Sequence, residues 1–169
     1  MQGVLLPGAM AGFVLGVAFI VLHTAGDALS YGTQEILGIA AIVVAICAAQ
    51  VFVVSRQPAT IAKEFLPRYF AAVLSAVAAA VVYGITTWLH FTVIDTNYLS
   101  RFYAQYLERV RAKATTPEES EQLIVAAERM KDFVMDPLSQ AMVQFGTVLM
   151  LGLLTGVIVT ALMKPKTRA

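Results

Sequence analysis

The sequence predicts an all-α integral membrane four-helix bundle with an extracytoplasmic amphipathic helical hairpin between its third and fourth spans. Three observations predict it. The 169 residues are 59% hydrophobic and only 14% charged, against about 25% charged in soluble domains. The apolar residues collect in four long runs, each near the roughly 20 residues that cross a bilayer as a helix. Between the third and fourth runs lies the one long polar stretch, whose apolar residues recur at helical spacing. The expected spans are about 3–26, 34–55, 69–92 and 137–163, with the hairpin at about 95–136, all in a single membrane domain of residues 1–169.

The first run follows Met1-Gln2 directly, with no basic residue before it. A signal peptide would carry a positive leader and a shorter core, so the run is read as a retained span. Gly8, Gly12 and Gly16 recur every four residues. Such a stripe lets another helix approach closely, where van der Waals contact replaces the hydrophobic effect. The second run carries Gly38, Ala41, Ala45 and Ala48 as small positions and Gln50 near its far end. A linker, 55–68, holds Pro58, Pro67, Arg56, Lys63, Glu64 and Arg68; Ile61, Phe65 and Tyr69 are four apart and read as a turn lying in the interface. The third run repeats small residues at Ala72, Ala76, Ala80 and Gly84, and ends in Tyr83, Trp88 and His90. Aromatic residues there fit the belt at headgroup level.

In the polar stretch, Leu99, Phe102, Tyr103, Tyr106, Leu107 and Val110 form one helical stripe. Thr116, Pro117 and Glu119 give an N-cap, a first-position proline and a capping box for a second helix. That helix has its own stripe, Leu123, Ala127, Met130, Phe133 and Val134, and the two stripes can cover each other. Asp136-Pro137 then caps and starts the fourth run. That run holds Gln140, Gln144, Gly152 and Gly156, and Lys164, Lys166 and Arg168 follow it.

Charge sets the expected orientation. With both termini in the cytoplasm, the inner side holds Arg56, Lys63, Arg68, Lys164, Lys166 and Arg168, with Glu64 as its acid. Basic residues then dominate inside, as the positive-inside rule requires. The expectation is a multi-pass protein of the cell inner membrane, both termini cytoplasmic and the hairpin outside.

Few residues carry chemistry. A net charge of +1 and no basic block exclude a case for nucleic acid. Cys47 alone makes neither a disulfide nor a cysteine zinc site. No nucleophile–base set and no phosphate loop is present, so no catalytic residue and no cofactor is expected. The ionisable groups gather at the outer edge. His23, Glu35 and His90 are the candidate ligands for a divalent metal, weighed against two interfacial histidines with ordinary hydrogen bonds.

The motifs Glu35-Ile36-Leu37-Gly38-Ile39-Ala40, Tyr-x-x-Tyr-Leu at Tyr103, Tyr106 and Leu107, and Asp136-Pro137-Leu138 occur in that order, before a last run, 152–163, that ends in basic residues. In these features the chain resembles the bacterial domain-of-unknown-function family 4199, small four-span membrane proteins. The linker, with Gln57-Pro58-Ala59-Thr60, departs from the Gly-rich stretch usual there. The resemblance implies the four-span architecture and brings no activity or catalytic residue with it.

The function expected is therefore non-enzymatic: an accessory or scaffolding subunit that presents the hairpin to a membrane-protein partner. Phe102, Tyr103 and Tyr106 are the partner-interface candidates, since aromatic side chains with polar tips favour interfaces. The competing expectation is a small homo-oligomeric transporter or channel, for which Gln50, Gln140 and Gln144 would line a polar path. The lipid bilayer is the partner common to both.

Overall fold

A computed structural model describes residues 2–24, 31–58 and 64–163, and these are helical apart from short connections. Seven α-helices follow in order: α1 (Gln2–Thr24), α2 (Tyr31–Ser55), α3 (Phe65–Leu89), α4 (Tyr98–Lys113), α5 (Pro117–Arg129), α6 (Lys131–Met135) and α7 (Pro137–Leu162). A π-helical turn, His90–Ile94, extends α3. No strand occurs among the described residues. The expected positions 25–26, Asp27, Ile61, Lys63, Lys164, Lys166 and Arg168 lie outside the described residues.

Among the described residues four helices are long and apolar enough to cross a membrane: Gly3–Thr24, Gly32–Ser55, Phe65–Ile94 and Pro137–Leu162. Their outward faces carry large apolar side chains, among them Leu6, Phe13, Val44, Phe70, Leu154 and Ile158. So much exposed apolar surface is untenable in water and ordinary against lipid. The protein is an all-α multi-pass membrane protein.

The chain divides into two units, Met1–Thr87 with Gln144–Ala169, and Trp88–Val143. In the first, glycines set how the helices meet. A Cβ on Gly8 would fall 2.1 Å from the Ser75 carbonyl oxygen, and one on Gly12 would fall 2.4 Å from that of Ala79. A Cβ on Gly16 would strike the Thr86 side chain. The partners advance together along the chain, so α1 and α3 run parallel at backbone contact, as the glycine stripe predicts. On the other side of α3, Gly152 meets Ala76 and Gly156 meets Ala72 and Tyr69. That order reverses, so α7 is antiparallel to α3. Ile46 and Gln50 of α2 lie against the same two glycines, which makes α2 parallel to α7. The four spans therefore alternate in direction. The starts of α1 and α3 and the ends of α2 and α7 share one end of the bundle.

The second unit holds the hairpin. Thr116 accepts a hydrogen bond from the Glu119 amide at 3.2 Å, and Pro117 is the first helical residue of α5. The Glu119 carboxylate reaches back to the amide and hydroxyl of Thr115 at 2.8 and 2.6 Å. The predicted capping box is present, shifted by one residue on its return bond. Asp136 accepts from the amide and hydroxyl of Ser139 at 2.8 and 2.6 Å and so caps α7. Leu99 and Tyr103 of α4 and Ala127 of α5 are buried.

Three features differ from expectation. The third helix begins at Phe65, so Arg68 is a helical, buried residue and not part of the linker. The C-terminal end of α3 widens into a π turn, closed by the Asp95 amide on the His90 carbonyl at 2.8 Å; a five-residue ring shifts the face of each following residue. The helix after Thr116 breaks at Met130 (φ −94°, ψ 0°) and restarts as α6. Of the predicted stripe only Ala127 is buried; Leu123, Met130 and Phe133 are exposed, on both sides of the break.

Candidate functional site

Polar side chains are concentrated at three places, and each is built by local sequence.

The first lies in the interior of the spans. Gln50 is fully buried and donates from Nε2 to the Gly152 carbonyl oxygen at 2.7 Å. Gly152 and Gly156 have no side chains, and this leaves the room that the glutamine occupies; Gly156 in particular has Nε2 beside it. Thr155 donates to the Leu151 carbonyl at 2.8 Å. Ser75 and Thr160 are also buried. Among the described residues, Gln50 Oε1, Ser75 Oγ and Thr160 Oγ1 have no hydrogen-bond partner. A buried amide that satisfies only one of its ends is costly.

The second is Arg68, buried one turn into α3. Its guanidinium donates to the Thr160 carbonyl at 2.9 Å and to that of Met163. Helix α7 ends at Leu162, so these carbonyls belong to its last turn and to the residue that follows it. Such groups have no intrahelical partner and carry the negative end of the helix dipole. Arg68 therefore ties the start of one span to the end of another and sets a positive charge where the dipole favours it. The sequence signal was available: Pro67 suits a first helical turn, which places Arg68 inside the helix.

The third is the hairpin and its base. His90 is fully buried, with its ring edge-on to Phe91 and Tyr98 at 5.8 and 5.4 Å between centroids. Tyr98 also stacks on Phe102 at 6.3 Å. Arg101 pairs with both carboxylate oxygens of Asp95. That hydrogen bond, opposed in part by burial, holds Asp95 below the usual carboxylate range. The Thr115 hydroxyl does the same for Glu119, and the Ser139 hydroxyl for Asp136.

The sequence candidates are placed as follows. His23 Nδ1 lies 2.7 Å from the Phe19 carbonyl one turn earlier, and its ring packs on Phe19 at 4.0 Å. Glu35 is exposed. Among the described residues no three His, Cys, Asp or Glu side chains form a group that could hold a metal ion, so His23, Glu35 and His90 are not brought together as a ligand set. Of the partner-interface candidates, Tyr103 is buried, Phe102 half-buried and Tyr106 exposed. Burial, then the Glu128 carboxylate and Tyr106, push the Tyr103 hydroxyl up from its ordinary value. Gln144 accepts from the Tyr83 hydroxyl at 3.5 Å, a bond between spans. Gln140 does not bond across spans in this way; its Nε2 donates to the Phe133 carbonyl at 3.4 Å.

The sequence model of a family described as "Protein of unknown function (DUF4199)" matches residues 8–165. No curated protein matches the chain, and no solved structure does.

Proposed function

The chain belongs to the DUF4199 family, and from that premise we propose that it is a non-enzymatic accessory or scaffolding subunit of the membrane, whose hairpin meets a membrane-protein partner. The observation that carries the reading is apolar surface on an otherwise charged hairpin. Tyr106 of α4 and Leu123 and Val125 of α5 are exposed, among Glu108, Glu118, Glu121, Gln122 and Arg129. Exposed apolar residues ringed by charge are the usual make-up of a protein contact. The buried Tyr103 backs Tyr106, their rings 6.5 Å apart, while Phe102 packs on Tyr98.

The proposal includes orientation. The parallel register of α1 and α3 supports it, because the starts of α1 and α3 and the ends of α2 and α7 lie together. Arg56 and Arg68 are at that end, with Arg56 lying over the Phe52 ring at 4.0 Å. Basic residues favour the cytoplasm. Both termini are thus assigned to the cytoplasm of an inner membrane, and the hairpin to the opposite side.

The test is a photo-activatable residue at Tyr106 or Val125, irradiated in native membranes. One stoichiometric protein adduct supports the accessory role. Adducts to a second copy, or none, contradict it. One observation favours the oligomeric transporter instead: the buried polar set Gln50, Ser75 and Thr160 inside the spans. That reading requires solute or ion flux in reconstituted vesicles and its loss in Gln50→Leu.

A further inference from the structure

We infer that Met130 and Phe133 form a membrane-surface anchor at the base of the hairpin, inserted into the boundary between lipid headgroups and acyl chains. The helix break at Met130 creates this surface. It stops α5 at Arg129 and turns the next five residues, α6, into a separate segment. Met130 is left 53% exposed and Phe133 46% exposed.

What covers them follows from their distance to the bilayer. The Gln140 side chain, in the first turn of α7, donates to the Phe133 carbonyl at 3.4 Å. Phe133 is therefore held beside the first turn of a membrane span. Immediately inside that turn, Leu138 and Met142 are exposed large apolar residues of the span, in the position of lipid-facing side chains. The bond bridges the extended residue Asp136 between α6 and α7, so the Phe133 backbone lies within side-chain reach of the turn that carries Leu138. The headgroup region on each side of the hydrocarbon is roughly 5–8 Å deep. Phe133 falls within it. Arg129 and Lys131 flank Met130, the arrangement by which basic residues meet headgroup phosphates while apolar neighbours enter the acyl boundary. The surface is continuous with the lipid face of α7, so the occupant is the bilayer itself. The inference uses the spanning of α7 and does not depend on the accessory role or on which side the hairpin lies.

The experiment uses the single tryptophan of the chain. With Trp88→Phe as background, Phe133→Trp, Met130→Trp and Val125→Trp are reconstituted at full length in phosphatidylcholine–phosphatidylglycerol vesicles. Emission is read with lipids brominated near the top of the acyl chain and with aqueous iodide. The anchor predicts that Trp at 133 and at 130, set at the headgroup–acyl boundary, loses emission to brominated lipid, while Trp at 125 loses emission to iodide only. Position 130 keeps the test decisive if the 133 variant fails to fold. Emission at both positions that ignores brominated lipid overturns the inference. Iodide sensitivity would then mark a solvated surface, and protection from both quenchers a protein cover.

Discussion

Adding one methyl group to the α1 stripe is the sharpest perturbation of the bundle. In Gly8→Ala the new Cβ would meet the Ser75 carbonyl oxygen at 2.1 Å and its carbon at 2.8 Å. Ordinary contact begins at 3.4 Å, so the overlap exceeds an ångström and is against backbone. A side chain could rotate away; a carbonyl in a helix cannot without loosening its own hydrogen bond. Gly12→Ala meets the same obstacle at Ala79, at 2.4 Å. Helices α1 and α3 must separate locally, and the contacts above and below the site weaken with them. Overpacking of this kind costs about 1–3 kcal/mol. Gly38→Ala is the internal control, since nothing lies within 4 Å of its Cβ, and it gains up to about 1 kcal/mol of helix propensity. The assay is reversible unfolding of the full chain in mixed micelles, followed by helical circular dichroism. The expected order of stability is Gly38→Ala at or above wild type, then Gly12→Ala, then Gly8→Ala. Equal stability of Gly8→Ala and Gly38→Ala would refute backbone contact between α1 and α3.

Three further outcomes are expected. Arg68→Met leaves the last carbonyls of α7 without their donor, at about 1.5–3 kcal/mol for each charged hydrogen bond lost, and hydrogen exchange should rise at the end of α7 before it rises in α1. Gln50→Leu removes the bond to Gly152 together with the unpaired Oε1, and polar contacts between spans average only about 0.6 kcal/mol; unfolding midpoints within experimental scatter of wild type are expected, and a large loss would show that the amide holds the bundle. Asp95, Glu119 and Asp136 are held below the ordinary range, chiefly by Arg101, Thr115 and Ser139 respectively. A depressed folded value stabilises above the unfolded one, near 4, so stability of the hairpin should stay level down to about pH 5 and fall as pH drops through the lowered values. Asp95→Asn should remove part of that acid loss, as read from unfolding midpoints against pH.

The spans were legible because the bilayer imposes length and apolarity on every residue of a crossing helix. The glycine stripe was legible for the same reason: four-residue spacing in a helix fixes a face. The caps at Thr116 and Asp136 are local chemistry and needed no tertiary information. Arg68 was misread because an arginine directly after Pro67 looks like linker, and only the meeting of α3 with the end of α7 gives it carbonyls to satisfy. The π turn at His90 and the break at Met130 left no trace in residue type, since no glycine or proline marks either place. The candidate ligands His23, Glu35 and His90 were chosen by their shared depth along the sequence, and depth alone does not set the face on which a side chain lies.

The central proposal is the sidedness of the fold, with the end of α2 and the start of α3 on the cytoplasmic side of the membrane and the hairpin on the opposite side. It is tested most directly by single cysteines at Pro58 and Glu121, in a Cys47→Ala background, labelled with a membrane-impermeant maleimide in intact cells. Both positions are exposed. The account predicts labelling of the cysteine at 121 in intact cells, and of the one at 58 only after permeabilisation. Equal labelling of both before permeabilisation, or the reversed pattern, would contradict it.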